Sequence, residues 1–231
     1  MAKEKTRSFA GYELAGKIGE GPFAKVYRAR KAGEEGTYAL KVYNPAKLPK
    51  DAAAQRWLKT LCDVLPLIQH QNVLRVFEAG VESKTLYVVM QEADGPPLAE
   101  VVATKGPLEL AEAVKMLNHL AQPLQKVHEK GLVHGDIKAT NVWRAADGRF
   151  KLSDFAITRA LTDAPPSDVR IGEVAAMFAA KEKKDEGKED SGVRTAEEIL
   201  RKRGQSRAGS LDVGPDMLGL AEMFLVSVGG T

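Results

Sequence analysis

Apolar positions follow two periods along the chain. Between residues 12 and 43 they come in short alternating runs: one ending at Ile18, one around Val26, and one through Tyr38, Ala39, Leu40 and Val42, with a GEEG turn at 33–36 between the last two. A period of two marks half-buried strands, and turns this tight join them into an antiparallel meander. The spacing then changes to three and four, at Trp57, Leu58, Leu61, Leu65 and Ile68, which predicts a helix across 51–70 with one apolar stripe. Two more strands, at 72–80 and 84–90, complete a five-stranded antiparallel sheet with a single helix.

Asp94-Gly95-Pro96-Pro97 breaks this pattern, because glycine and two prolines cannot continue a strand. The break divides the chain into a first lobe, 1–93, and a second, 94–231. In the second, Leu110, Val114, Leu117, Ala121, Leu124 and His128 predict an amphipathic helix over 108–130, bent at Pro123. Residues 181–210 are crowded with charge of both signs and have little to bury, so they read as an insert, with a short helix near 196–203 behind a Thr195/Glu198 capping box. Leu218, Leu220, Met223, Phe224, Leu225 and Val228 then surround a helix at 216–228 that is apolar on all sides. Such a helix needs a cover, so self-association or partner binding over it is expected.

Composition narrows the class. The chain has 231 residues and a formal net charge of +3, too small for the electrostatic footprint of a nucleic-acid binder. One cysteine, Cys62, rules out an intrachain disulfide and any multi-cysteine metal site, and favours a reducing, cytoplasmic setting. No stretch reaches the ~20 apolar residues of a membrane span, and the charged N-terminus lacks the apolar core of a signal peptide.

Three stretches carry chemistry. Gly19, Gly21, Ala24 and Val26 form a small-residue turn between two strands, either an ordinary hairpin or a cradle that lets backbone amides approach phosphate. A dinucleotide-binding fold is disfavoured, because a strand follows the glycines instead of a helix. Lys41 lies among apolar residues of a strand, either facing solvent or aimed at phosphates beneath the glycine turn. The decisive stretch runs from His134 to Asp154. Asp136, Lys138 and Asn141 stand at HxDxKxxN spacing, and Asp154 follows beyond an AADG hairpin.

In this order the residues resemble the eukaryotic-like serine/threonine protein kinase family, from Tyr12 to the end of the chain. The resemblance implies an α+β, bilobal fold: a five-stranded antiparallel N-lobe with one helix, and a mainly helical C-lobe that stops after its central helix, as a fragment would. It implies ATP and Mg2+ as cofactors and a protein as substrate or regulated partner. Lys41 would hold the α and β phosphates, Asp136 would accept the substrate hydroxyl proton, Lys138 would steady the γ phosphate, and Asn141 with Asp154 would ligate magnesium. Ile18, Gly19, Gly21, Val26 and Ala39 would cover the nucleotide. Met90 would be the gatekeeper, the backbones of Gln91 and Ala93 would hold adenine, and Trp143 would lie beneath it. Leu65, Val76, His134 and Phe155 match an apolar column between the lobes, and Asp216 matches the aspartate that anchors its base.

The sequence also departs from the family pattern. Leu61 stands where a glutamate would pair with Lys41, Gly135 replaces the arginine before Asp136, and Ala156 replaces the glycine after Phe155. Glu182 is a faint match to the family's substrate-docking segment. These departures keep a second reading open: a nucleotide-binding pseudokinase that acts as a scaffold or regulatory module.

Overall fold

The computed structural model describes residues 7–155, 157 and 214–229. The expectations placed on Ala156, Glu182 and the 181–210 insert lie outside them.

A six-stranded antiparallel sheet forms the first half: β1 (Ser8–Phe9), β2 (Tyr12–Glu20), β3 (Ala24–Lys31), β4 (Tyr38–Tyr43), β5 (Val76–Glu82) and β6 (Thr85–Gln91). Its order is β1-β2-β3-β4-β6-β5. The five expected strands are all present, and β1 adds a two-residue edge too short to show any alternation. Register follows from the alternation. On β4, Ala39 and Tyr43 join the main core, while Leu40 leaves the opposite face and packs with Tyr12, Ala29 and Val89. That second cluster is roofed by edge-on aromatic contacts of Tyr38 with Tyr12 and Phe77.

Helix α1 (Ala52–Val64) crosses the other face. Trp57, Leu58, Leu61, Leu65 and Ile68 are all buried, at 6% exposure or less, as their spacing requires. The helix ends six residues earlier than the stripe suggested, because Pro66 turns Leu65–Leu67 into a 3-10 segment. Each such side chain contributes about 1.5–3 kcal/mol on burial, so this stripe dominates the attachment of α1.

Beyond β6 the chain runs into α2 (Leu98–Lys105), α3 (Leu110–Glu129), the hairpin β7 (Val142–Arg144) and β8 (Phe150–Leu152), and α4 (Gly214–Ser227). The expected helix at 108–130 is α3, and Leu124 of the expected stripe is buried, but the rest of the buried face is Ala113, Met116, Leu120, Pro123 and Val127. Leu110 and Val114, read as core, are 64% and 45% exposed. Two apolar stripes that share Leu124 run along this helix, and the one that packs against β8 and α4 is buried. Pro123 sits inside a helix that continues past it. On α4, Asp216, Leu220, Met223 and Ser227 are buried, while Leu218 and Leu225 remain exposed.

Candidate nucleotide and phosphotransfer site

A cleft of about 620 Å³ lies between the sheet and the segment from Asp136 to Asp154. Its lining includes each residue that the resemblance implies for nucleotide, phosphate or metal contact: Ile18, Gly19, Gly21, Val26, Ala39 and Lys41 from the sheet and its β2–β3 turn, Met90, Gln91 and Ala93 at the crossing, and Asp136, Lys138, Asn141, Trp143 and Asp154 opposite.

The roof is the β2–β3 turn, closed where the Gly21 N–H donates to the Ala24 carbonyl at 2.9 Å. A Cβ at Gly19 would meet only Val26, at an ordinary 3.6 Å, and one at Gly21 would meet nothing nearer than 4.0 Å. The chain itself thus leaves room for side chains there, and glycine keeps that room open toward the cleft. At the crossing, the Gln91 N–H is already bonded to the Arg75 carbonyl at 2.7 Å, whereas Ala93 makes no backbone hydrogen bond among the described residues.

Hairpin register builds the floor. Val142 pairs with Leu152, and the Ser153 N–H donates to the Asn141 carbonyl at 3.0 Å, which brings Asn141 and Asp154 side by side despite the turn between them. Asn141 donates through Nδ2 to the Asp136 carboxylate at 3.0 Å and to its carbonyl at 2.9 Å. Lys138 Nζ reaches the same carboxylate at 2.7 Å. Across the cleft, Lys41 Nζ lies 2.7 Å from Asp154 Oδ2, with both side chains less than one-fifth exposed. Asp154 holds φ at +63°, a left-handed conformation that a non-glycine residue adopts at some cost and that recurs at functional sites.

Two anchors fix the loop that carries Asp136. His134 is fully buried; its Nδ1 accepts the Asp136 N–H at 3.2 Å and its Nε2 contacts the Ser153 carbonyl at 2.8 Å. One neutral tautomer satisfies both contacts, and burial lowers the imidazole pKa accordingly. Asp216, at the start of α4, accepts the N–H groups of His134 at 2.8 Å and Gly135 at 2.6 Å, and meets His128 Nε2 at 2.7 Å. Burial pushes this carboxyl up, but the bonds from His128, Gly135 and His134 outweigh it and hold the group below its ordinary value. The expected column is also assembled: Leu65, Val76 and Phe155 border one small void, and the Phe155 ring lies 4.5 Å from that of His134.

The Pkinase family model, described as a protein kinase domain, matches residues 12–185. The chain belongs to the protein kinase domain family. Among curated relatives, CBL-interacting protein kinase 31 of Oryza sativa subsp. japonica is 33% identical over 168 residues, which cover 73% of this chain and 37% of the relative. CBL-interacting serine/threonine-protein kinase 24 of Arabidopsis thaliana is 29% identical over 155 residues, covering 67% and 34%. This chain therefore spans about a third of the length of these relatives. A crystal structure of the Mycobacterium tuberculosis PknI kinase domain is similar with a TM-score of 0.61 and 27% identity, over 71% of this chain and 65% of that one. Another crystal structure of that kinase domain has a TM-score of 0.69 over 99% and 77%, at 22% identity, a likeness of fold alone.

Some residues of this kinase cleft escaped the sequence reading. Leu74 and Ser153 line it, and Ser153 Oγ accepts the Trp143 indole N–H at 3.1 Å, which fixes the ring in the floor. Glu92 at the crossing is held by Arg28, whose Nε lies 2.8 and 3.0 Å from its two oxygens; these bonds lower the carboxyl pKa. Strand register creates this pair, since Arg28 faces Ala39 and Ala39 faces Met90. Leu61 is the clearest departure: it is 1% exposed in the core, so α1 offers Lys41 no carboxylate at that position.

Proposed function

We propose that this chain binds Mg-ATP in the cleft and transfers its γ phosphoryl group to serine or threonine hydroxyls of a protein. The observation that carries the reading is the convergence of Lys41, Asp136, Asn141 and Asp154 on one cleft between a glycine turn and a hairpin floor. Phosphoryl transfer asks the protein for little covalent chemistry, so positioned charge is the main requirement. Residues 1–93 would form the nucleotide-covering lobe and 94–231 the lobe that presents the acceptor.

The donor set fits magnesium. Among the described residues no cluster of three or more histidine, cysteine, aspartate or glutamate side chains could hold a metal. One carboxylate and one amide oxygen suit a hard cation that completes its shell with phosphate oxygens and water. With Asn141 Nδ2 committed to Asp136, its Oδ1 is the atom that would face the ion, beside Asp154. Bound there, magnesium would offset phosphate charge. Lys41 would hold the α and β phosphates and Lys138 the γ phosphate, while the Asp136 carboxylate, oriented by Asn141, would take the acceptor hydroxyl proton. The Gln91 carbonyl and the free backbone groups of Ala93 would bind the adenine edge above Trp143, with Ile18, Val26, Ala39 and Met90 enclosing the base.

A protein substrate or partner in the cytoplasm completes the proposal. Two observations support it: the named relatives are CBL-interacting kinases, and among the described residues no helix is long and apolar enough to cross a membrane. The buried Leu61 favours a second reading, a nucleotide-binding pseudokinase. Labelled γ phosphate transfer with magnesium, by the wild type and Asp136→Asn, separates the two. A kinase loses roughly 10²- to 10⁴-fold in the variant. A wild type that binds ATP and transfers nothing is the scaffold.

A further inference from the structure

Lys41 and Tyr43 lie two residues apart on β4 and leave the same face of the sheet. Lys41 Nζ stands 5.5 Å from the centroid of the Tyr43 ring, within reach of a cation–π attraction, while Asp154 holds it from the cleft side. Tyr43 is only 3% exposed and belongs to the same core cluster as Leu58, Leu61 and Cys62 of α1. Its ring thus lies on the face of the sheet that packs with α1, the face from which Lys41 also extends.

Two details show how the ring engages. Its hydroxyl is buried with no hydrogen-bond partner among the described residues, so the contact to Lys41 runs through the ring face and not the oxygen. Burial, then the charges of Asp154 and Cys62, push the phenol pKa well up, so the side chain stays neutral. Asp154 is thereby left as the anionic partner of Lys41 among the described residues. A neutral ring orients an ammonium without neutralising it, which leaves its charge for a phosphate.

We propose that Tyr43 is the positioning residue for Lys41, its ring face standing in for the helix carboxylate that Leu61 displaces, and that through Lys41 it sets the cleft's preference for a nucleoside triphosphate over the bare nucleoside. This deepens the nucleotide reading above and rests on it.

The test uses the full chain with Tyr43→Phe, which keeps the ring, and Tyr43→Leu, which removes it. In the nucleotide-free protein, the Lys41 methylene signals, assigned by their loss in Lys41→Arg, should be shifted upfield by the ring in the wild type and Tyr43→Phe and return to ordinary values in Tyr43→Leu. In binding titrations, Tyr43→Leu should weaken ATP roughly 3- to 10-fold, the span of a partly desolvated cation–π contact, and leave adenosine within about twofold. In the Lys41→Met background the same change should no longer separate ATP from adenosine. Unshifted Lys41 signals in the wild type would overturn the proposal, even if Tyr43→Leu fails to fold. Equal weakening of ATP and adenosine by Tyr43→Leu would overturn it too, leaving Tyr43 a packing residue. A wild type that binds no ATP would instead defeat the nucleotide reading, and the ring-current measurement tells that failure apart.

Discussion

Lys41 Nζ and Asp154 Oδ2 lie 2.7 Å apart, the sheet and the hairpin floor joined across the cleft by one ion pair. The proposed function gives both groups a part in the nucleotide complex, Lys41 on phosphate and Asp154 on magnesium. In the ligand-free protein each neutralises the other.

Ligand entry must therefore exchange this pair for stronger contacts. Mg-ATP at about 100 times its Kd should stabilise the fold by about 2.7 kcal/mol, which raises Tm by roughly 5 to 10 °C for a chain of this size. Asp154→Ala should remove the magnesium-dependent part of the shift. Scanning calorimetry with ATP, with and without magnesium, checks it, and equal shifts in both proteins would remove Asp154 from the metal site.

Restoring a glutamate on α1 should not repair this cleft. Leu61 is 1% exposed in the main core, so Leu61→Glu loses its packing and buries a carboxyl group as well. The expected loss is about 3 to 5 kcal/mol, read from urea unfolding. Unchanged stability would mean that the new carboxylate reaches Lys41 after all.

Gly219 on α4 lies against the loop that carries Asp136. A Cβ there would fall 2.9 Å from both the Cβ and the carbonyl oxygen of Ile137, and a backbone oxygen cannot swing aside. Overpacking of about 1 to 3 kcal/mol exceeds the ~1 kcal/mol that alanine gains over glycine in a helix. Gly219→Ala should thus lower stability, and by displacing Ile137 it should cut phosphotransfer on the order of 10²-fold. Parallel urea melts and steady-state kinetics read the two effects.

Stability should fall on mild acidification. Burial, then the charges of Lys126 and His119, lowers the His70 pKa from 6.5 to about 4, and its Nδ1 accepts the Asn72 N–H. The unfolded chain takes up this proton first, so the contribution is complete above pH 6.5 and is lost as pH falls toward 4. At 1.36 kcal/mol per unit the change is at most about 3 kcal/mol, and less in proportion to the ring's partial exposure to solvent. The His70 ring signals should titrate near pH 4 by NMR, and a midpoint near 6.5 would refute the assignment.

Much of this architecture was legible because two periods carried it. Alternation gave five strands, and the three-four spacing of Trp57, Leu58 and Leu61 named the buried face of α1. On α3 the same method chose Leu110 and Val114, because apolarity alone does not weigh Ala113 and Met116 against the neighbours they meet. The HxDxKxxN spacing exposed the floor, since its members lie close in sequence. Arg28 with Glu92, and Tyr43 beneath Lys41, were hidden, because strand pairing or side-chain direction creates them and spacing does not record it.

The Asp216 anchor also orders events in time. Its bonds to His134 and Gly135 span 82 and 81 positions of chain, whereas the sheet joins mostly neighbouring strands. Closing so long a loop loses entropy before any contact repays it, so the sheet can assemble while the Asp136 loop waits for α4. During refolding, the His134 and Gly135 amides should gain protection from hydrogen exchange after those of β4 and β6. A chain cut before Gly214 should retain the sheet and never protect these two amides.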